Sequence, residues 1–384
     1  MISGLADTAD PLAAELKVDM REKLAMLDPD VSQFNVILQK LSEERAKSFK
    51  VEWLEDLLVP RTTGLAASAT SAATEFTVTT STGTYFKAGD IVRVVSTGEA
   101  VRVTAVGASA ITVVRALGSV AAASAASGGD GSLVIVGGSN EQGATLPTAL
   151  ITQRTAAYNY TQIVRNAWRF TRTATETDWY AGGLLAKERK KKASEHNADK
   201  ENMYFFGARS YSAGTNNPRH TAGGLIEFIT TNITSASTLD KATVNDFMRT
   251  GLQYGSSNKV LFAAPIVAQV FSEYLADNWV RAKPDERVWG AKVDAYISAV
   301  YGTDVPIIVK RQWGAYGTPA ANFYSTKAFL VDLEYVQSAP LHSSELLRNR
   351  QANDADEIAE EYLFEGSLKV EREQVHALLD DVVG

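Results

Sequence analysis

Four histidines, no cysteine and one dense run of carboxylates limit the chemistry open to this chain. His196, His220, His342 and His376 lie far apart, none in an H-E-x-x-H pair, and read as chance surface residues. Without thiols there is no disulfide scaffold, zinc ribbon, thiol nucleophile or cysteine-held iron–sulfur cluster. Asp354, Asp356, Glu357, Glu360 and Glu361 form the densest acidic group. They lack the glycine and odd-position ligands of a calcium loop, so they read as a solvated charged face. No G-x-x-x-x-G-K-S/T loop and no G-x-S-x-G elbow occurs, and Gly128-Gly129-Asp130-Gly131 does not fit a dinucleotide fingerprint. Arg189, Lys190, Lys191 and Lys192 could meet phosphate, but the acids interleaved with them favour a salt-bridged helix. Trp53, Trp168 and Trp179 could stack on a sugar or base, although packing in an interface or core is the commoner use of tryptophan. We expect no catalytic residue, no cofactor and no metal.

Composition narrows the class further. A length of 384 residues suggests two or three domains, and 45% hydrophobic with 22% charged residues is ordinary for a globular chain. Lys+Arg 38 against Asp+Glu 45 leaves a net charge of -7, which argues against a protein that coats nucleic acid. No apolar run approaches the roughly 20 residues that span a bilayer. Met1 to Pro11 lacks the basic start of a signal peptide, so synthesis without export is expected.

Two helices are expected in the first 45 residues. Asp10 and Pro11 would begin one, with Leu12, Leu16, Met20, Leu24 and Leu27 on its face. Asp30 would cap the second, with Val31, Phe34, Ile37, Leu38 and Leu41. Neither has a local partner in the sequence, which predicts an arm that packs elsewhere. From Thr62 to Thr148 only nine of 87 residues are charged and 12 of the 27 glycines occur, so the stretch reads as strands and turns. Five β-branched runs (75–79, 91–95, 101–106, 111–114 and 133–136) predict a small barrel or sandwich. Ala121–Gly131 is expected to be a flexible small-residue loop.

Aromatics and arginines mix in Thr152–Thr173, which predicts a long ribbon strand returning beside Phe49–Val59. Such a ribbon would bury one face on a neighbour, with Trp53, Leu57, Arg61, Arg165, Trp168 and Arg169 as the candidate contacts. A long polar helix follows, roughly Leu184 to Phe206, closed by Gly207 and read as a solvated spine outside the core. The remainder alternates helix and strand: a helix over 239–254, a strand over 260–264, a helix from Pro265, and strands over 305–309, 329–333 and around 362–370.

In that order the parts resemble the major capsid proteins of tailed double-stranded DNA phages, with the HK97-like fold. The motifs are Phe86-Lys87-Ala88-Gly89-Asp90-Ile91-Val92, Thr97-Gly98-Glu99, Val103–Val106 and Ile111–Arg115, which are similar to a β domain inserted in the extended loop of one subfamily. Phe206-Gly207, Thr221–Ile226, Asn258–Phe262 with Pro265, Gly302–Val309 and Phe329–Asp332 are similar to the later elements. The resemblance implies an α+β fold: an N-terminal arm (1–45), an extended ribbon loop (46–64 and 148–176) and an inserted small β-barrel (65–147). It also implies a peripheral domain (177–238 and 326–384) with spine helix 184–206, and an axial domain (239–325).

It further implies a structural subunit forming hexamers and pentamers of an icosahedral head around packaged DNA, assembled in the host cytoplasm and carried in the virion. Partners would be other copies, a separate scaffolding protein, a portal and a decoration protein, with no membrane. Arg189, Lys190, Lys191 and Lys192 would then place charge on the inner face. A carbohydrate- or surface-binding module on a structural scaffold is the alternative.

Overall fold

The computed structural model describes residues 32–382 except 42, 148, 178–182, 215, 237–238, 275–278, 282–293, 298–300, 302, 316–323 and 381. The expected helix over 11–27, the Asp30 cap and Trp179 lie outside the described residues. The chain divides into two compact units, one of residues 54–156 and one of residues 1–53 with 157–384.

Strand β1 (Lys50–Glu55) leads into the smaller unit and β8 (Thr155–Tyr160) leaves it, and the two pair with each other. Between them run β2 (Thr62–Leu65), β3 (Glu75–Thr77), β4 (Asp90–Val94), β5 (Ala100–Val106), β6 (Ala110–Leu117) and β7 (Gly128–Gly138). They form one sheet in the order β2-β7-β4-β5-β6-β3. Its two outer strands also meet: Ala66 N–H donates to Thr77 O and Thr79 N–H to Gly64 O, so the sheet closes on itself. Alternation explains the core. Val92 and Val94, Val101 and Val103, and Ile111 and Val113 point inward with Phe76, Phe86 and Leu133, all fully buried. β7 takes Gly128 to Gly131 out of the stretch expected to be a flexible loop.

The larger unit begins with α1 (Gln33–Lys40). The arm was expected to pack elsewhere, on another element or subunit; α1 instead joins the core of its own chain. Phe34 is fully buried 4.7 Å from the ring of Phe205 and 5.0 Å from that of Phe262, beside Ile37 and Leu38. The expected long ribbon is also shorter. β9 (Gln162–Thr171) leaves it and pairs along its whole length with β19 (Glu357–Val370), which pairs in turn with β18 (Val336–Leu347). Helix α2 (Arg172–Glu176), capped by Thr171, follows β9.

The spine is α3 (Leu184–Phe206). Its N-terminal half is polar and partly solvated, as expected. Its C-terminal half is not, because Met203, Tyr204 and Phe205 enter the main core, with Lys200 and Glu201 also buried. Gly207 ends the helix at φ -59°, so no left-handed cap is formed. Glycine is needed there for space, since a Cβ would lie 2.4 Å from Ala222 O and 2.5 Å from Met203 O.

β10 (Ser210–Ser212) and β11 (Arg219–Thr221) pair as a hairpin before the short α4 (Leu225–Phe228). Among the described residues the main sheet has seven strands: β12 (Ile233–Ser235), β13 (Lys259–Ala263), β14 (Trp279–Arg281), β15 (Asp294–Ile297), β16 (Asp304–Val309), β17 (Ala328–Asp332) and β20 (Ala377–Asp380). Their order is β12-β20-β17-β13-β16-β15-β14. Helices α5 (Lys241–Gly251), α6 (Pro265–Tyr274) and α7 (Arg311–Ala315) complete the unit. Asp240 caps α5 by accepting from Thr243 N–H at 2.7 Å. β13 and β17 are fully buried and pair antiparallel from Lys259↔Asp332 to Ala263↔Ala328. β17 and β20 were expected in the peripheral domain, yet they are strands of this sheet, so a boundary at 325 runs through it. No described helix is long and apolar enough to cross a membrane.

Candidate functional site

The sheet β18-β19-β9 carries three of the candidate residues of the larger unit, Arg165, Trp168 and Arg169. Along β9 burial alternates. Val164 and Trp168 are buried, whereas Ile163, Arg165, Ala167 and Arg169 are exposed on the other face. Arg165 and Arg169 therefore share one outer face. Opposite them, β19 supplies the acids: Arg165 donates to Glu361 at 2.5 Å and Arg169 stands 3.5 Å from Glu357. In the register Arg165 faces Leu363 and Arg169 faces Ala359, so both pairs span the same diagonal. Arg350 adds a second hydrogen bond to Glu361 at 2.9 Å, and Arg172 meets Asp356 at 2.9 Å.

Glu357, Glu360 and Glu361 are thus counter-ions of the arginines, whereas Asp354 and Asp356 keep the exposed charged face that was expected. Glu360 and Glu361 are buried. Among the described residues no group of three or more His, Asp or Glu could hold a metal ion.

Trp168 points to the inner face, its ring 5.4 Å from Tyr362. It is 6% exposed, as is Trp53, which packs 5.9 Å from Phe228. Both tryptophans are buried within their own chain, so neither has much surface left for a neighbour. The ribbon was expected to lack an internal partner; the missing signals were β19 and α4, distant in sequence. Leu57 and Arg61 are exposed in the smaller unit, where Leu54, Leu58, Leu146 and Ile151 are exposed too, the last three at 93%, 94% and 89%. Leu146 and Ile151 carry no periodic pattern, so their sequence gave no warning of this.

The basic run on α3 is divided. Arg189 turns to the sheet and donates twice to Glu360, at 2.5 and 2.7 Å, which holds the guanidinium charged. Lys192 donates to Glu195 at 2.6 Å, and this bond raises its pKa. Lys191 stands 3.9 Å from Glu195. Lys190 is exposed and forms no ion pair among the described residues. Of the four expected inner-face cations, Lys190 and Lys191 are exposed, while Arg189 and Lys192 are half-buried in ion pairs.

Two histidines depart from the surface reading. His196 is buried, with Nδ1 2.7 Å from Asn166 Oδ1, and burial pushes its pKa down to about 4. His376 is fully buried and accepts the Asp332 N–H at Nδ1; desolvation, aided by Lys259, pushes it to about 3. At the mouth of the ribbon, Phe49 stacks on Tyr160 and Tyr211 at 6.2 and 5.7 Å, and His220 meets it edge-on. Tyr211 and His220 were not foreseen as part of any site, because the hairpin β10–β11 brings them there.

This geometry offers ion-paired outer faces and apolar loop residues, which are means of association. A sequence profile described as the SU10 major capsid protein matches residues 5–383. The chain belongs to the SU10 major capsid protein family. A relative named major capsid protein, from Pseudomonas phage PaMx41, is 32% identical over 164 residues, covering 42% of this chain. The match spans 38% of that relative's length.

Among solved structures, the capsid of a native GTA particle aligns with a TM-score of 0.52 at 7% identity, over 99% of this chain and 100% of that one. The capsid of Myoviridae Phage XM1 aligns with a TM-score of 0.49 at 8% identity, over 98% and 100%. The fold of this SU10-family chain is that of HK97-like capsid proteins.

Proposed function

We propose that the chain is the major capsid subunit of a phage, assembling into hexamers and pentamers of an icosahedral head around double-stranded DNA. Membership of a capsid family over nearly the whole chain carries this reading. The physics agrees with it. Leu54, Leu57, Leu58, Leu146 and Ile151 leave a monomer with unburied apolar surface, which a neighbouring copy would cover. In this reading Leu57, Arg61, Arg165 and Arg169 meet neighbours. Lys190 and Lys191 face the packaged DNA, which the net charge of -7 keeps from being gripped. The unit of residues 54–156 serves as an insertion in the extended loop. A scaffolding protein, a portal and a decoration protein are the expected partners, and assembly takes place in the host cytoplasm.

Sedimentation and electron microscopy of the expressed chain, alone and with candidate scaffold, test the proposal. Megadalton closed particles support it. A species that stays monomeric under both conditions, and instead binds carbohydrate, overturns it in favour of a binding module.

A further inference from the structure

Ser344 on β18 is exposed and lines a cavity of about 320 Å³ with Arg45, His342, Ser343 and Glu345. Two buried groups of α3 hold its hydroxyl from beneath. Lys200 Nζ donates to Oγ at 2.8 Å, and His196 Nε2 stands 3.4 Å away. Asn166 fixes the imidazole through Nδ1, and its own amide donates to Asp199 at 2.7 Å. A buried lysine ordinarily ends on a carboxylate. Lys200 has none within ion-pair distance among the described residues, and its ammonium donates instead to a serine that lines a cavity.

We propose that Ser344 is an activated nucleophile that accepts an acyl group from esters or similar acyl donors entering this cavity, with Lys200 as its base. A serine paired with a lysine is a known alternative to the serine–histidine arrangement. In the step, the Ser344 hydroxyl proton passes to Nζ and a bond forms between Oγ and the acyl carbon. The bond from that carbon to its leaving group then breaks, and the leaving group departs with the proton from Nζ. One ester is formed per subunit.

The surroundings set the working range. Lys200 faces Ser344 from β18, the Phe364 ring at 5.1 Å from β19, His196 on its own helix and Glu43 from the segment after α1. Burial pushes Lys200 down to about 8, against a smaller upward pull from Glu43. The lysine therefore becomes neutral, and able to accept a proton, above that pH. His196 is already neutral throughout this range. Arg45, His342 and Glu345 are the charged or titratable residues that line the cavity.

A fluorophosphonate, the phosphonyl analogue of an acyl donor, tests the proposal on the full chain: Oγ bonds to phosphorus and fluoride leaves. Peptide mass spectrometry is expected to place the adduct on Ser344 and not on its exposed neighbour Ser343. The labelling rate is expected to rise with pH through a midpoint near 8. Ser344→Ala should lower labelling at least tenfold, and Lys200→Arg, which keeps the charge but cannot take up a proton, should remove the midpoint. Should the buried Lys200 site reject arginine, the wild-type pH profile and the exposed Ser344→Ala variant still decide. Equal labelling of Ser343 and Ser344, no adduct at pH 9, or a rate without a midpoint overturns the proposal.

Discussion

Glu99 holds three segments of the smaller unit with one carboxylate. It is fully buried and receives Arg115 Nε at 2.8 Å and Nη2 at 2.6 Å, with the N–H groups of Ala116 and Ala123. Arg115 spends its other protons on the carbonyls of Thr70, Ala73 and Ala123. The bond to Ala116 also helps hold a non-glycine residue at φ +57°. The Arg115 hydrogen bond is what holds Glu99 below the usual carboxylate range. Glu99→Gln keeps the shape but leaves a guanidinium buried without its counter-ion, and such a loss costs about 3–5 kcal/mol. Urea unfolding of the variant should show a loss of unfolding free energy of that size, read as a lower midpoint at unchanged slope.

His376 makes a pH-dependent contribution of definite sign. Its Nδ1 accepts the Asp332 N–H, and Nε2 is buried. A proton on Nδ1 would face that N–H, and Lys259 stands near. The folded pKa of about 3 lies below the ordinary value of 6.5, so the unfolded chain takes up the proton first. The stability is full above pH 6.5 and is lost as pH falls toward 3. By pH 5 the loss is about 2 kcal/mol, at roughly 1.4 kcal/mol per pH unit. His376→Asn, which keeps an acceptor for the Asp332 amide, should flatten the dependence of the urea midpoint between pH 7 and 5. An unchanged slope would assign the acid sensitivity to other groups. Sequence spacing shows a metal motif or its absence, but not depth, so His196 and His376 could not be told from surface histidines.

Elements were legible where periodicity was strong. The runs at 91–95, 101–106 and 111–114 became β4, β5 and β6 because alternating β-branched residues fit a half-buried pleat. The 23 residues of α3 were legible from length, i,i+4 charge pairs and the glycine that ends them. Its partners were not: Met203 to Phe206 mark an apolar last turn, but nothing in the sequence says which distant elements it meets. That end depends on backbone packing. A Cβ at Gly207 meets two carbonyl oxygens, and carbonyls cannot rotate aside as a side-chain tip can. Gly207→Ala should cost about 3 kcal/mol, the upper range of overpacking. Gly98→Ala is the contrast: φ is +71° but nothing lies within 4 Å, so only left-handed strain of about 1 kcal/mol applies. Thermal melts of the two variants should rank in that order.

At the scale of the whole molecule, the topology explains why an independent unit can sit inside a chain. β1 and β8 pair, so the chain enters and leaves residues 54–156 by neighbouring strands. The inner core from Leu65 to Leu133 uses residues of that unit alone. A fragment of residues 54–156 should therefore melt cooperatively by circular dichroism. What this unit leaves exposed bears on assembly. Leu58 and Leu146 are more than nine-tenths exposed in the single chain, where each keeps in contact with water a side chain whose full burial is worth about 1.5–3 kcal/mol. If neighbours cover them, charge at these positions should damage the particle and spare the subunit. Leu58→Asp with Leu146→Asp is expected to leave the urea midpoint of the unassembled chain unchanged. Particle yield, followed by sedimentation velocity and negative-stain micrographs, should fall at least tenfold. Particles formed at wild-type yield would mean that both leucines still face solvent in the shell.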